Sequence, residues 1–221
     1  MISHAPPPPP QKELDDLLSY LPRSQILGCR KGQVIYSQNK PSSNLYLVIQ
    51  GKVTVSCVAD DGRQVIIDIY GQDELFGESA MFRLVQHSEQ AAACEPTKLM
   101  SWTPSEIEGF TLKHPRLAMA LLQMLVQRNC DLAQRIESLS RDNIPRRLAR
   151  TLIRLSDRFG KAEEDGSRRM MPLTHELLAQ YVGTSRELVT RHMNQLRDLG
   201  YLQYSRKGII VYRNVICEWL L

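Results

Sequence analysis

The sequence predicts an α+β protein: an antiparallel sandwich or barrel of short strands, then one long helix, then a winged helix-turn-helix. Three observations carry this. Between Ile26 and Trp102, short β-branched and aromatic runs alternate with glycine-containing breaks. From Pro115 a helical pattern continues for about 25 residues without glycine or further proline, roughly 37 Å of helix at 1.5 Å per residue. Finally, the stretch LLAQYVGTSRELVTRHMNQLRDLGYL, Leu177 to Leu202, reads as two amphipathic helices about a glycine turn.

The 221 residues suffice for one large domain or two ordinary ones. Hydrophobic content of 43% and charged content of 24% argue against wholesale disorder. The net charge of +4 is unevenly spread: from Ile144 onward 14 Lys and Arg face 8 Asp and Glu, a balance of +6, and the preceding 143 residues carry 14 against 16, or −2. A polyanionic partner therefore belongs with the C-terminal third, although a basic domain can also be merely soluble. The five cysteines (Cys29, Cys57, Cys94, Cys130, Cys217) are odd in number and scattered, with no CxxC or CxxH spacing, which argues against a disulfide framework or a zinc site and fits a reducing compartment. No apolar run approaches the roughly 20 residues of a membrane helix. The start, MISHAPPPPPQKE, lacks the basic and apolar regions of a secretory signal and reads as a stiff, solvated polyproline lead-in. A cytoplasmic protein without a membrane partner is expected.

In the first part, GQVIYSQ, NLYLVIQGKVTVSCVA, RQVIIDIY and TKLMSW are the strand candidates, divided at NKPSS, ADDG and GQDELFGE. Asp60–Gly62 is a hairpin signal, because Gly62 can take positive φ. In the long helix Leu122, Leu125, Leu132, Ile136 and Leu139 follow spacings of 3, 7, 4 and 3, an a/d heptad stripe with Asn129 at the vacant a position. A polar residue at one a site lowers stability but fixes register and oligomer state. So regular a stripe favours a dimer helix over one packed only on its own domain. SRDNIP then supplies a hinge, with a new helix from Pro145, RRLARTLIRLSDRFG, ending at Gly160. KAEEDGSRR reads as a polar surface loop. The expected divisions are 1–22, a Pro-rich segment and short helix; 23–112, the β domain; 113–140, the dimer helix; 141–145, the hinge; and 146–221, the winged helix-turn-helix.

Within the last of these, Ala179 is small enough for a second helix to approach, Gly183 permits a left-handed turn, and Val189 fills the space between helices. Ser185 is a good N-cap. Val189, Met193 and Leu196 form the inward face of the second helix. Thr184, Ser185, Arg186, Glu187, Thr190, Arg191 and Asn194 remain on or near its outward N-terminal face. Arginine matches guanine O6 and N7 bidentately and glutamate accepts from cytosine N4, while Thr190 and Asn194 can reach a phosphate or base edge. YLQYSRKGIIVY reads as a wing whose tip, Arg206 and Lys207, suits a phosphate backbone. Double-stranded DNA is the expected partner. No nucleophile–base pair, phosphate loop or metal spacing points to an enzyme, so no catalytic or metal residues are assigned. The competing non-enzymatic reading is a ligand-binding or scaffold module whose helix-turn-helix contacts protein.

Glycine-punctuated strands, a long dimer helix, a hinge and a winged helix-turn-helix, in this order over nearly the whole chain, resemble the Crp/Fnr family of bacterial transcription regulators. TSRELVTR is similar to that family's recognition-helix core. The resemblance implies a cyclic-nucleotide-binding-like jelly roll (β-roll), a homodimer, RNA polymerase as a further partner, and a TGTGA-like palindrome in which Arg186 and Arg191 contact guanines and Glu187 a cytosine. In the family's cyclic-AMP binders a Gly-Glu pair holds the ribose and an Arg-Ser pair the cyclic phosphate. Here Gly77 and Glu78, followed by Ser79, keep the first, but His87-Ser88 stands where Arg-Ser is expected. The Thr-Ser that contacts adenine falls at Leu132-Ala133. Both departures argue against ordinary cyclic-AMP control; the alternative is a cyclic-nucleotide-controlled regulator that binds its ligand in a non-standard way. The effector-pocket candidates are Gly77, Glu78, Ser79, His87, Ser88, Asn129, Leu132 and Ala133, with the effector and any cofactor unspecified. The family's iron–sulfur and haem ligand patterns are not matched: only Cys29 lies near the N-terminus, and Gly77 and Ser79 occupy the Cys and His haem positions. His87 is more readily a surface or hydrogen-bonded residue than a ligand, and Cys130 a buried small apolar residue than a redox sensor.

Overall fold

The computed structural model describes residues 17–37, 40, 42–58, 64–82 and 89–220. Eight strands form two four-stranded antiparallel sheets: β1 (Ile26–Cys29), β8 (Thr97–Trp102), β3 (Leu45–Gln50) and β6 (Leu75–Phe76) in one, and β2 (Val34–Tyr36), β7 (Glu89–Ala93), β4 (Val53–Val58) and β5 (Gln64–Tyr70) in the other. Strand β3 is buried on both faces, and its period of two explains how. Tyr46 and Val48 point between the sheets, with Tyr36, Val53, Val55, Tyr70, Phe76 and Leu99, while Leu45 and Leu47 point outward with Trp102 and Ile107. The expected turn at Asp60–Gly62 lies outside the described residues, between the antiparallel pair β4 and β5.

Helix α1 (Pro104–Lys113) opens with a capping box: Thr103 Oγ1 accepts from the Glu106 backbone N–H at 3.3 Å and Glu106 accepts from the Thr103 backbone N–H at 2.7 Å. Helix α2 (Pro115–Arg141) buries Leu117 and Ala120 in its first turns and packs Leu121 and Met124 against the outward cluster of Leu45, Leu47 and Trp102. Its other side carries Leu122, Val126, Leu132, Ile136 and Leu139 at 53%, 55%, 42%, 64% and 53% exposure. No helix among the described residues is long and apolar enough to cross a membrane.

Only Asp142 and Asn143 separate α2 from α3 (Ile144–Phe159), a shorter connection than the sequence suggests. Asn143 Oδ1 accepts from the Arg146 N–H at 3.2 Å, so the cap starts the helix at Ile144 and Pro145 becomes its second residue. Then come α4 (His175–Val182), α5 (Arg186–Asp198) and α6 (Arg213–Leu220). KAEEDGSRR is not simply a loop. β9 (Lys161–Ala162) and β10 (Arg168–Met170) extend the wing strands β11 (Leu202–Ser205) and β12 (Gly208–Val211) into one antiparallel sheet, ordered β11-β12-β10-β9. Charge hides this short edge ribbon in the sequence, yet Met170 is buried beside Ile209 in the C-terminal core.

Candidate nucleic-acid interface and effector cavity

The helix-turn-helix is assembled by caps and a small-residue contact. Thr174 Oγ1 accepts from the Leu177 N–H at 3.1 Å to start α4. Gly183 ends it at φ 75°, ψ 53°, and the N–H groups of Gly183 and Thr184 both donate to the Ala179 carbonyl, at 2.9 and 3.0 Å. Ser185 Oγ then accepts from the Leu188 N–H at 3.3 Å and opens α5. Ala179, Val189, Met193 and Leu196 are all buried. An added Cβ at Gly183 meets only Leu139 Cδ2 at 3.8 Å, so strain rather than collision sets the cost of a side chain there. Gly183→Ala is expected to lower unfolding free energy by about 1 kcal/mol, as a left-handed alanine should. A urea titration checks this, and no change would remove the strain argument.

Arg186, Glu187 and Arg191 stand exposed on α5, and Arg206 and Lys207 stand exposed at the wing tip. Hydrogen bonds from its own backbone N–H and from Ser185 hold the Glu187 carboxyl below its ordinary range, so it is an ionised acceptor. Thr190 and Asn194 differ from expectation. The Thr190 hydroxyl donates to the Arg186 carbonyl at 2.9 Å and lies 2.8 Å from His175 Nδ1. Burial, then the Arg186 charge, lowers the pKa of His175 and favours the neutral ring in that contact. Asn194 Oδ1 accepts from Tyr204 OH at 2.8 Å, which ties α5 to the wing and leaves the amide NH₂ as its outward group. Both side chains hold the interface in shape, a role that pattern alone does not reveal.

A second feature is a cavity of about 310 Å³ where the roll, α2 and the C-terminal domain meet. It brings together Gly77, Glu78, Ser79 and Leu132 from the expected set. Gly77 has φ 84°, and a Cβ there would stand 2.8 Å from the Asn44 carbonyl oxygen, so only glycine fits. Glu78 is ion-paired with Arg128 at 2.7 Å, and Arg128 also donates to the Leu75 carbonyl and lies over the Tyr70 ring. Asn129 and Ala133 are not among the lining residues: they are exposed on the outer side of α2, as is Cys130. His87 and Ser88 lie outside the described residues. Sequence reasoning missed the remaining walls, notably Tyr36, Arg135, Arg154, Arg158 and Tyr181. One signal was available: Arg128 and Arg135 lie one heptad apart on α2, at the g positions that flank the apolar stripe beside Leu125 and Leu132.

Residues 28–114 match the cyclic nucleotide-binding domain family, and residues 146–215 match the Crp-like helix-turn-helix domain family. The chain belongs to the Crp/Fnr family. It is accordingly a DNA-binding transcription regulator rather than an enzyme. This Crp/Fnr protein is 27% identical over 181 residues to a CRP-like cAMP-activated global transcriptional regulator of Mycobacterium tuberculosis, covering 82% of this chain and 81% of the relative. It is also 27% identical over 188 residues to the global nitrogen regulator of Synechocystis, covering 84% and 83%. A solved CRP/FNR-family transcriptional regulator from Thermus thermophilus superposes with a TM-score of 0.70 at 26% identity, covering 89% of this chain and 98% of the other.

Proposed function

We propose that this Crp/Fnr protein is a homodimer that reads a TGTGA-like palindrome and answers to an effector other than cyclic AMP. The observation carrying the DNA reading is that Arg186, Glu187 and Arg191 are exposed at the start of α5, beside a basic wing tip, while folding is accounted for by Ala179, Val189, Met193 and Leu196. Arg186 and Arg191 have no carboxylate within ion-pairing distance among the described residues, whereas Arg197 on the same helix is paired with Asp198 at 3.2 Å. The exposed stripe of α2 supports the dimer, whose two-fold axis presents two recognition helices to half-sites about one helical turn apart. Fluorescence anisotropy with a labelled TGTGA palindrome tests the reading. Binding should weaken steeply as salt rises, because phosphate contacts release counterions. No binding at low salt would falsify it.

The effector reading rests on the cavity. Glu78 is engaged by Arg128, and Leu132 offers no polar edge to a base. Titration calorimetry with cyclic AMP is therefore expected to show no tight binding, and the nucleotide should leave palindrome affinity unchanged. The relative from Mycobacterium tuberculosis is cAMP-activated, which gives the opposite outcome its meaning: micromolar binding that strengthens DNA affinity restores cyclic-nucleotide control.

A further inference from the structure

The C-terminal domain is seated on the roll through β5. Across the β4–β5 pair Val55 opposes Asp68 and Ser56 opposes Ile66, so Ile67 is an extra residue, a β-bulge. The bulge shifts the strand's parity and turns Ile66 and Ile69, three residues apart, to the same outer face. There both are buried in one cluster with Tyr181, Val182 and Leu155. Around this apolar seat lies a polar ring. Arg158 of α3 donates from Nη1 to both Asp68 carboxylate oxygens at 2.7 and 2.9 Å, and from Nε to Glu74 at 2.5 Å. Burial opposes the Arg158 charge, but the two carboxylates outweigh it and raise its pKa. Arg135 of α2 donates to the carbonyls of Ile66 (3.0 Å), Ile67 and Tyr181 (3.1 Å). The Tyr181 carbonyl is in the last turn of α4 and has no helical partner, so one guanidinium holds the bulged strand and the end of the first reading helix together. The guanidinium carbons of Arg135 and Arg154 lie over the Tyr181 ring, 4.3 and 5.2 Å from its centroid, and the Tyr181 hydroxyl accepts from Arg154 at 2.8 Å.

We propose that Asp68, Glu74, Arg135, Arg158 and Tyr181 form an interdomain latch that fixes the helix-turn-helix in one orientation on the roll. They are positioning residues for DNA recognition, although none belongs to the recognition helix. With the latch made, Arg186, Glu187 and Arg191 remain exposed, so it does not cover the reading surface. A dimer with two unlatched domains would give up orientational freedom each time it engaged both halves of a palindrome, and the latch removes that cost in advance. A half-buried ion pair is suited to such a task, because its value lies less in net stability than in selecting one arrangement. Asp68, Arg135, Arg154, Arg158 and Tyr181 also line the cavity that holds Gly77 and Glu78, so anything entering it meets the latch directly.

The inference rests on the dimeric DNA reading above, and the test separates the two. Full-length wild type, Arg158→Met and Asp68→Asn/Glu74→Gln are compared by amide hydrogen exchange and by anisotropy on a palindrome and on a single half-site. In both variants, exchange over 64–70 and 175–182 should rise about tenfold or more while β3 and β8 keep their protection. Palindrome affinity should fall about tenfold and half-site affinity stay within about twofold, since only the two-site advantage is lost. Unchanged exchange means there is no latch. Faster exchange with undiminished palindrome affinity means the contact does not position the domain, and tighter DNA binding means it restrains it. Protection lost from β3 and β8 in both variants makes the effect general destabilisation and also overturns the latch. A wild type that ignores the palindrome sinks the DNA reading, while the exchange data still decide the latch.

Discussion

Arg186→Ala is expected to abolish sequence-specific binding while leaving the fold intact. The side chain is exposed at the first position of α5, so its loss opens no cavity and strands no buried charge. A bidentate arginine–guanine pair discriminates by about 1–3 kcal/mol, and a two-fold dimer makes that contact twice. The combined loss is about 2–6 kcal/mol, a weakening of roughly 30-fold to 20,000-fold on the palindrome. Binding to random duplex should change far less, because phosphate contacts from Arg206, Lys207 and the remaining basic residues persist. Arg197→Ala is the matched control: Arg197 lies on the same helix but toward its C-terminal end, paired with Asp198. Equal losses for the two variants would mean that α5 contributes only general charge. Thr190→Val separates shape from contact, since its hydroxyl is already committed to the Arg186 carbonyl and His175. It should act through the placement of Arg186 rather than through a base of its own.

The reading end of this protein was legible because its constraints are local. A cap, a left-handed glycine and an apolar triad lie within one short stretch, and Gly183, Ser185 and Val189 do in the structure what their residue types allow. The heptad stripe of α2 was legible for the same reason. The cavity was not, because its walls come from β2, β5, α2, α3 and α4, and no spacing rule connects Tyr36 with Tyr181 or Asp68 with Arg158. The bulge at Ile67 is invisible in RQVIIDIY, where unbroken alternation would place Ile66 and Ile69 on opposite faces. β9 and β10 escaped for a different reason: Lys161, Arg168 and Arg169 leave no alternating apolar run, although only β9 is an edge strand and β10 pairs with β12 on its other side. Thr190 and Asn194 show the remaining gap. Helical phase placed them on the reading face, but only the partners His175 and Tyr204, brought in from α4 and the wing, reveal that their oxygens are already in use.

Ile136→Glu is expected to convert the proposed dimer to monomer. At 64% exposure Ile136 is the most open of the apolar side chains along the α2 stripe, and it occupies the a position one heptad after Asn129. Burying an isoleucine against a partner contributes about 1.5–3 kcal/mol, and a two-fold interface loses that contribution twice. Two glutamates brought together across the axis add like-charge repulsion and desolvation, so the dimer dissociation constant should rise by at least about a hundredfold. The chain itself should remain folded, because the inward side of α2 is formed by Leu117, Ala120, Leu121 and Met124 rather than by Ile136. Sedimentation velocity at micromolar concentration reads the outcome, with circular dichroism as the check on folding. The monomer should then bind a palindrome no better than a half-site, since the advantage of two linked recognition helices is gone. Asn129→Leu supplies the opposite test at the same interface. Removing the one polar a residue should tighten association and weaken its restriction to two chains, so trimers or larger species should join the dimer at high concentration. A folded Ile136→Glu protein that still sediments as a dimer would place the two-fold contact elsewhere, and the exposed stripe of α2 would then require another occupant.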